Sequence, residues 1–224
     1  VIGEQNKIYP MMSGHNTICT ATALLECRVI EMKSSPVTNF TLEAPAGDIE
    51  ITANCDIAEG KVNSIKLLNT LSYVEITDLE IDVPFIGIDG VKSAKVTVDI
   101  AYSGMWYCVC DINQFRENKS LEHLKMDLQK SNGRNLCKIG EMIKVACREQ
   151  HEVNIPKEWG VYKGCDILVF SDVSSSTVTF VNNQNEDKEN KKLHGKNTVV
   201  MSNNELSWDK PETFTAMLDR SPCG

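Results

Sequence analysis

Four consecutive residues near the start of the chain, Ser13-Gly14-His15-Asn16, combine a hydroxyl, a glycine, an imidazole and a side chain that can cap a helix. The run that follows has helical spacing, so these residues predict the N-terminus of a helix. Such a terminus presents unpaired backbone N–H groups and about half a positive charge, which suit a carboxylate. Gly14 would let a ligand approach the backbone closely. The alternative is an ordinary N-cap, in which Ser13 or Asn16 only completes the helix.

The segment DRSPCG, residues 219–224, is a second group of residues that could do chemistry. Pro222 suits the first turn of a helix. A cysteine at such a position has its thiolate stabilised by the helix dipole, so Cys223 can act as a base. Asp219 supplies a fixed carboxylate, which suits a cationic group on a ligand. The alternative is a structural cysteine that is buried after a turn.

Together the two segments favour the binding of a small zwitterion. Its carboxylate would lie on the N–H groups of the two helix starts, and its ammonium would face His15 and Asp219. Its α-carbon would lie between Ser13 and Cys223. Removing the α-proton needs a base on one face, and inverting the centre needs an acid on the opposite face. The spacing does not decide which of the two side chains faces the α-hydrogen.

The helix that carries the first segment is predicted at residues 17–30. Small or apolar residues occupy nearly every side of it, among them Ile18, Cys19 and Leu24, so we expect it to be buried on all sides. Helical spacing recurs at 120–131 and 136–150. In the last segment the following residues share one apolar face: Leu136, Ile139, Met142, Ile143 and Ala146.

Alternating patterns predict strands through most of the remaining chain. A hairpin is predicted at 37–56, with a break at Pro45-Ala46-Gly47. Further strands are predicted within four segments: 61–76, 91–110, 165–171 and 197–202. We therefore expect an α+β protein with two lobes, a first lobe at 1–95 that holds the first helix and a second lobe at 96–224. Residues 182–196 are rich in Asn, Glu and Lys, and we expect a mobile insertion there.

Charge and cysteine content narrow the function classes. The net charge of −8 argues against nucleic acid and anionic membrane surfaces as partners. No apolar run approaches the roughly 18 residues that a membrane span needs. The nine cysteines include no Cys-x-x-Cys pair, which favours reduced, mostly buried thiols in a cytoplasmic protein. Their spacing predicts no metal site.

Five segments of the chain resemble the proline racemase family, which includes hydroxyproline epimerases and trans-3-hydroxy-L-proline dehydratases. They are MSGHNTICTATALLE, FTLEAPAG, VTVDIAYSGMWY, IGEMIKVACREQ and SWDKPETFTAMLDRSPCG. The resemblance implies a diaminopimelate epimerase-like fold of two similar lobes, each with a sheet wrapped around a central helix, the second lobe being truncated here. It implies no cofactor and a small-molecule partner, hydroxyproline or proline. The oligomeric state stays open, with a homodimer as one candidate.

The resemblance also assigns roles to individual residues. Catalysis falls to Ser13 and Cys223. Substrate binding falls to five residues. His15 and Asp219 would contact the amine. The carboxylate would lie on N–H groups of Gly14, Asn16 and Gly224.

One departure from the family pattern bears on the reaction. Ser13 stands where a racemase has Cys, and a hydroxyl without an adjacent base is a far weaker acid or base than a thiol. In the family this Ser/Cys pairing accompanies mainly dehydration of trans-3-hydroxy-L-proline and sometimes hydroxyproline epimerisation. In that substrate the 3-hydroxyl and the α-hydrogen lie on one ring face, so one face can lose both as water. We therefore place dehydration to a pyrroline-2-carboxylate, a hydro-lyase reaction, before 4-hydroxyproline 2-epimerisation or proline racemisation.

Two further departures keep another class open. Ser103 in YSGMW stands where the family usually has Gly, close to the expected pocket. The Gly-Thr-Gly and the second central helix that follow DRSPCG in the family are absent from this sequence. A catalytically dead homologue is therefore an alternative to an enzyme. A redox or metal protein is least favoured, because the cysteines lack ligand spacing.

Overall fold

The computed structural model describes eight parts of the chain: residues 3–4, 7–8, 12–89, 92–153, 164–165, 167–172, 195–202 and 206–219. The early elements are β1 (Gly3–Glu4), β2 (Lys7–Ile8), α1 (Gly14–Glu26), β3 (Val37–Ala44), β4 (Gly47–Asp56) and β5 (Lys61–Leu68). The middle elements are β6 (Tyr73–Val83), β7 (Ala94–Tyr102), β8 (Trp106–Asp111), α2 (Gln114–Glu117) and α3 (Gly133–Gln150). The last elements are β9 (Ile167–Asp172), β10 (Lys196–Ser202) and β11 (Ala216–Leu218). This mixture confirms the predicted α+β class.

Contacts between residues divide the chain into two compact units. Among the described residues, unit 1 comprises those up to Tyr73 together with Tyr102–Met105, and unit 2 comprises those of Val74–Ala101 and of Trp106–Asp219. These boundaries differ from the predicted lobes at 1–95 and 96–224, because β6 lies in one sheet with β7. The division into lobes stays a prediction.

Unit 1 contains the antiparallel sheet β3-β4-β5 and helix α1. The predicted hairpin at 37–56 is confirmed, since β3 and β4 pair from Val37 opposite Asn54 to Ala44 opposite Gly47. Gly47 leaves the turn with a φ of 122°, a conformation that favours glycine. Alternate side chains of β4 are buried, as the period of a strand with one covered face requires: Ile49, Ile51, Ala53 and Cys55.

Helix α1 packs one face against β4 and β5. It runs from Gly14 to Glu26, so the helix is confirmed but lies earlier than the predicted range 17–30. Within it Ala21 and Leu25 are buried, whereas Ile18 is 41% exposed. The prediction of burial on all sides was wrong for the part of the chain that the structure describes, because the sheet of unit 1 covers one side of the helix.

The end of α1 is closed by a Schellman motif. Arg28 adopts a positive φ of 58°, Val29 N donates to Leu24 O at 2.9 Å, and Arg28 N donates to Leu25 O at 3.0 Å. Glu26 Oε1 accepts from the N–H of Val62 on β5 at 2.9 Å. Backbone bonds therefore close the C-terminus of α1, and the Glu26 side chain attaches it to the sheet.

Unit 2 is built on a six-stranded sheet in the order β11-β10-β9-β8-β7-β6. Tyr73 begins β6 and Tyr102 ends β7, although the contacts assign both residues to unit 1. Strands β8 and β9 are parallel, and β10 is antiparallel to both β9 and β11. Every predicted strand segment contains observed strands, which confirms those predictions. Segment 61–76 holds β5 and part of β6, and segment 91–110 holds β7 and most of β8. Segment 165–171 holds most of β9, and segment 197–202 lies in β10.

Helix α3 lies against β9, β10 and β11. All five residues of its predicted apolar face are buried, which confirms that prediction. Burial extends around most of the helix. On the buried surface, Glu141 Oε2 and Lys144 Nζ form an ion pair with 2.9 Å between them. Gly140 allows the close approach of the sheet, since a Cβ there would lie 2.8 Å from Val200 Cγ2 and 3.0 Å from Phe170 Cε2.

The predicted helix at 120–131 was wrong. The segment contains only two short 3-10 turns, Glu122–Leu124 and Lys130–Asn132. Lys125 adopts a positive φ of 48° between them, and its carbonyl accepts from Asn132 Nδ2 at 3.1 Å. Side-chain bonds of this kind offer the backbone an alternative to a helix.

The predicted insertion at 182–196 lies outside the described residues, except for Gly195 and for Lys196, which begins β10. Within the described residues, no helix is both long enough and apolar enough to cross a membrane.

Candidate active site

Ser13 is the N-cap of α1. Its backbone is extended, with φ −118° and ψ 114°, and its Oγ accepts from Asn16 N at 3.4 Å. Its carbonyl accepts from Thr17 N at 2.9 Å. The predicted helix start is therefore confirmed, but Ser13 rather than Asn16 supplies the capping oxygen. A hydroxyl that accepts in this way keeps its proton free to be donated.

Gly14 faces open space at the start of the helix. A Cβ at this position would meet no atom of the described residues within 4 Å. Packing inside the protein therefore does not require glycine here, whereas close approach by a ligand would. The first N–H groups of a helix have no intrahelical acceptor, and α1 has no acidic residue in its first turn that would offset the positive end of its dipole. This turn suits an anion.

His15 is exposed in the same turn. Its Nε2 lies 3.9 Å from the Sγ of Cys19, one turn further along α1, which is a weak contact. The imidazole is thus positioned beside the N-terminus without being bound into the core. The structure brings four predicted site residues together on one turn of unit 1: Ser13, Gly14, His15 and Asn16.

Asp219 lies directly after β11 in unit 2. It is partly buried, and its backbone N–H donates to Val199 O of β10 at 2.9 Å. The backbone of Asp219 is therefore fixed by the sheet, and its role towards a substrate stays a prediction. Cys223 and Gly224, the other predicted residues of this segment, lie outside the described residues. Their catalytic and binding roles stay predictions.

Six of the eight described cysteines are buried, and only Cys19 and Cys27 are exposed. Their burial agrees with the expectation of mostly buried cysteines, and their reduced state stays a prediction. A hydrogen bond shared with Cys147, followed by burial, raises the pKa of Cys108, and burial raises the pKa of Cys110. These thiols are therefore poor nucleophiles. Among the described residues, no three His, Cys, Asp or Glu side chains are arranged to hold a metal ion.

The first turn of α1 can bind a carboxylate and offer a hydroxyl and an imidazole next to it. A bound carboxylate stabilised by N–H groups makes an adjacent C–H more acidic, because it can accept the electron pair that the proton leaves behind. This is the chemistry of proton transfer at the α-carbon of an amino acid.

A family model described as proline racemase matches residues 1–224. The chain belongs to the proline racemase family. Two curated relatives are 4-hydroxyproline 2-epimerases. The one from Rhizobium etli is 31% identical over 163 residues, and the one from Agrobacterium fabrum is 32% identical over 163 residues. Each alignment covers 73% of this chain and 41% of the relative, so the chain spans less than half of their length.

Two solved structures share the fold. A hydroxyproline epimerase from Agrobacterium vitis, with bound trans-4-hydroxy-L-proline, has a TM-score of 0.64 and 26% identity over 96% of this chain and 48% of that protein. A probable proline racemase from Agrobacterium radiobacter, with bound carbonate, has a TM-score of 0.58 and 22% identity over 93% of this chain and 63% of that protein. The predicted diaminopimelate epimerase-like fold is thereby confirmed. None of these four relatives is named for dehydration of 3-hydroxyproline, the reaction that the sequence placed first.

One part of the site was not found from the sequence. Met12, directly before Ser13, donates its backbone N–H to Gly104 O at 3.1 Å. The neighbouring Ser103 was noted only as a departure from the family pattern. A contact between residues so far apart in sequence leaves no local signal, although the motif YSGM that supplies the carbonyl is visible in the chain.

Proposed function

We propose that the protein catalyses the cofactor-independent 2-epimerisation of 4-hydroxyproline. The observation that carries the proposal is the first turn of α1, where Ser13 caps the helix and open space faces Gly14. The names of the curated relatives and the ligand of the Agrobacterium vitis enzyme support this substrate. The cytoplasmic location and a homodimer stay predictions.

The carboxylate of the substrate would lie on the N–H groups of Gly14 and His15. The Asn16 N–H donates to Ser13 Oγ at 3.4 Å, a long bond that leaves its hydrogen open to a second acceptor such as a carboxylate oxygen. Gly224 would contribute from the second segment. The amine would face the His15 imidazole and the Asp219 carboxylate.

Cys223 and Ser13 would exchange protons with the two faces of the α-carbon. One group takes the α-hydrogen as a proton, and the electron pair of the broken C–H bond is delocalised into the bound carboxylate. The other group then donates its proton to the opposite face, forming a new C–H bond of inverted configuration. The first group ends protonated and the second deprotonated, so exchange with water must reset both before the next turnover.

A second candidate is the dehydration of trans-3-hydroxy-L-proline, which Ser13 favours. A capping hydroxyl that accepts from Asn16 N can donate its proton to a leaving group. Loss of the α-proton to one group and of the 3-hydroxyl as water would give an enamine, which becomes a pyrroline-2-carboxylate. This reaction needs no strong acid on the second face.

The deciding experiment incubates the full-length protein in deuterated water with trans-4-hydroxy-L-proline and, separately, with trans-3-hydroxy-L-proline. We expect the first to exchange its α-hydrogen and form cis-4-hydroxy-D-proline, as read by NMR and chiral chromatography. A product from the second substrate that reacts with carbonyl reagents would assign dehydration instead. No exchange with either substrate would contradict both and favour a catalytically dead homologue.

The variant Cys223→Ala tests the predicted thiol. General acid–base groups contribute about 10²–10⁴-fold to rate, so we expect turnover to fall by that amount while the melting temperature stays close to that of the parent protein. Cys27→Ala, on an exposed thiol at the C-terminal end of α1, is the matched control and should retain substantial turnover. Equal activity of the Cys223 variant and the parent would remove that thiol from the mechanism.

A further inference from the structure

Ser13 is held from its N-terminal side by Met12. The Met12 backbone N–H donates to Gly104 O at 3.1 Å. Its side chain is 7% exposed and lies in a core cluster with Ala21, Ile49 and Ile51. Both the backbone and the side chain of the residue before the N-cap are therefore fixed.

The carbonyl that accepts from Met12 belongs to the β7–β8 turn, Tyr102–Met105, which lies in unit 1. Gly104 adopts a positive φ of 76°. The turn packs closely against its surroundings, since a Cβ at Gly104 would contact three side chains: Asn69 Oδ1 at 3.3 Å, Met12 Cβ at 3.4 Å and Thr70 Oγ1 at 3.4 Å. A methyl group at Gly104 would therefore be in close contact with the residue before Ser13.

The segment before β6 holds the turn in place. Asn69 Nδ2 donates to Ser103 O at 3.4 Å, and Asn69 Oδ1 accepts from Thr70 N at 2.8 Å. The hydroxyl of Ser72 donates to Ser103 Oγ at 2.9 Å. Asn69 is thus bonded both to its own segment and to the turn, so it fixes one relative to the other.

We propose that the β7–β8 turn positions Ser13. Gly104 acts through its hydrogen bond with Met12, and Asn69 acts by holding the turn in place. The inference rests on the proposed epimerisation, in which Ser13 must face the α-carbon. A misplacement of about 1 Å at a catalytic group can lower a rate by about 10²-fold. A support that fixes the N-cap from outside the helix therefore controls the rate without touching the substrate.

The first test replaces Gly104 with Ala in the full-length protein. The matched control is Gly60→Ala, because Gly60 has a similar positive φ of 65° but a Cβ there would meet no atom within 4 Å in the part of the chain that the structure describes. Both variants carry the same kind of backbone strain, and only Gly104→Ala adds close contacts with the residue before Ser13. We expect Gly104→Ala to lower kcat for epimerisation by about tenfold or more, and Gly60→Ala to change it by less than about twofold.

The second test is Asn69→Ala, which adds no bulk and no strain. Its control is Asn63→Ala, the same substitution at an exposed position on β5. We expect kcat to fall by about fivefold to tenfold for Asn69→Ala and to stay within about twofold for Asn63→Ala. This pair keeps the inference testable if Gly104→Ala fails to fold.

Exchange of the α-hydrogen separates positioning from a general structural role. Each epimer presents its α-hydrogen to one catalytic group, so displacing Ser13 should slow exchange from only one epimer in deuterated water. The other epimer should exchange within about twofold of the parent rate. Equal slowing for both epimers, or kcat values equal to the controls, would overturn the inference while epimerisation by the parent stands. A parent protein that exchanges neither epimer would instead overturn the proposed function.

Discussion

Helix α1 contains fewer charged residues than helix α3, yet fewer of its residues are buried. Helix α1 has no charged side chain between Gly14 and Leu25, yet only Ala21 and Leu25 are buried in it. Helix α3 contains six charged residues, yet eleven of its residues are buried, and two of these are charged. The charged residues of α3 are Arg134, Lys138, Glu141, Lys144, Arg148 and Glu149.

The difference shows that neighbouring elements decide burial. Helix α3 has three strands of a six-stranded sheet against it. Helix α1 packs against two strands of a three-stranded sheet. The apolar pattern of a helix shows which of its side chains can be buried, whereas the surrounding strands determine which of them are buried.

The two helices also divide the work of the protein. In the proposed function the open end of α1 would present Ser13 and Gly14 to the substrate, and the sheet packs against the helix from one side. Helix α3 carries none of the predicted site residues and lies in the core of unit 2. Substitutions in α3 should therefore act on stability, and those at the start of α1 on turnover.

The largest expected effect on stability is that of Lys144→Met. Glu141 and Lys144 are 1% and 2% exposed, and the substitution would leave the Glu141 carboxylate buried without this cation. Breaking a buried pair typically costs about 3–5 kcal/mol. We expect the free energy of unfolding, measured by urea denaturation, to fall by that amount.

The control is the double variant Glu141→Leu with Lys144→Met, in which both charges are removed. Apolar replacement of a whole buried pair is often neutral. Its stability should therefore lie within about 1 kcal/mol of the parent protein. A double variant as unstable as the single one would show that shape, not an unpaired charge, governs this part of α3.

Much of the fold was predictable because strands and amphipathic helices leave local periods. The alternation Ile49, Ile51, Ala53 predicted β4, and the face that includes Met142 predicted α3. The break at Lys125 was not predictable, because a positive φ held by a distant amide has no helical or strand period. The exposure of one side of α1 was not predicted either, because it depends on which strands pack against the helix and not on the sequence of the helix itself.

The candidate site was predictable where it is local. Residues Ser13, Gly14 and His15 share one turn because they are consecutive, and the prediction of a helix start at that point is confirmed. The support from Gly104 to Met12 was not predictable, since no pattern in the chain links the two positions. Local motifs indicated the candidate residues, whereas the elements that hold them in place required the structure.

The next largest effect tests the one-sided burial of α1. Leu25 is 1% exposed and lies in a cluster with Ala53 and Cys55, whereas Ile18 is 41% exposed. Leu25→Ala should lower the free energy of unfolding by about 2–4 kcal/mol, and Ile18→Ala by less than about 1 kcal/mol. Equal losses in urea denaturation would mean that the open face of α1 is covered in solution, and the contrast with α3 would disappear.

The smallest effect is expected at Ser13, where stability and turnover should separate. Removing an N-cap oxygen costs about 1 kcal/mol, and the Asn16 N to Ser13 Oγ distance of 3.4 Å makes a lower value the better expectation. Ser13→Ala should therefore lower the melting temperature by only a few degrees. Ser13→Asn, whose side chain can still cap the helix, should recover that stability without recovering turnover. If Ser13→Ala unfolded the protein instead, Ser13 would hold the core as the buried residues of α3 do, and its loss could no longer be interpreted as a loss of chemistry.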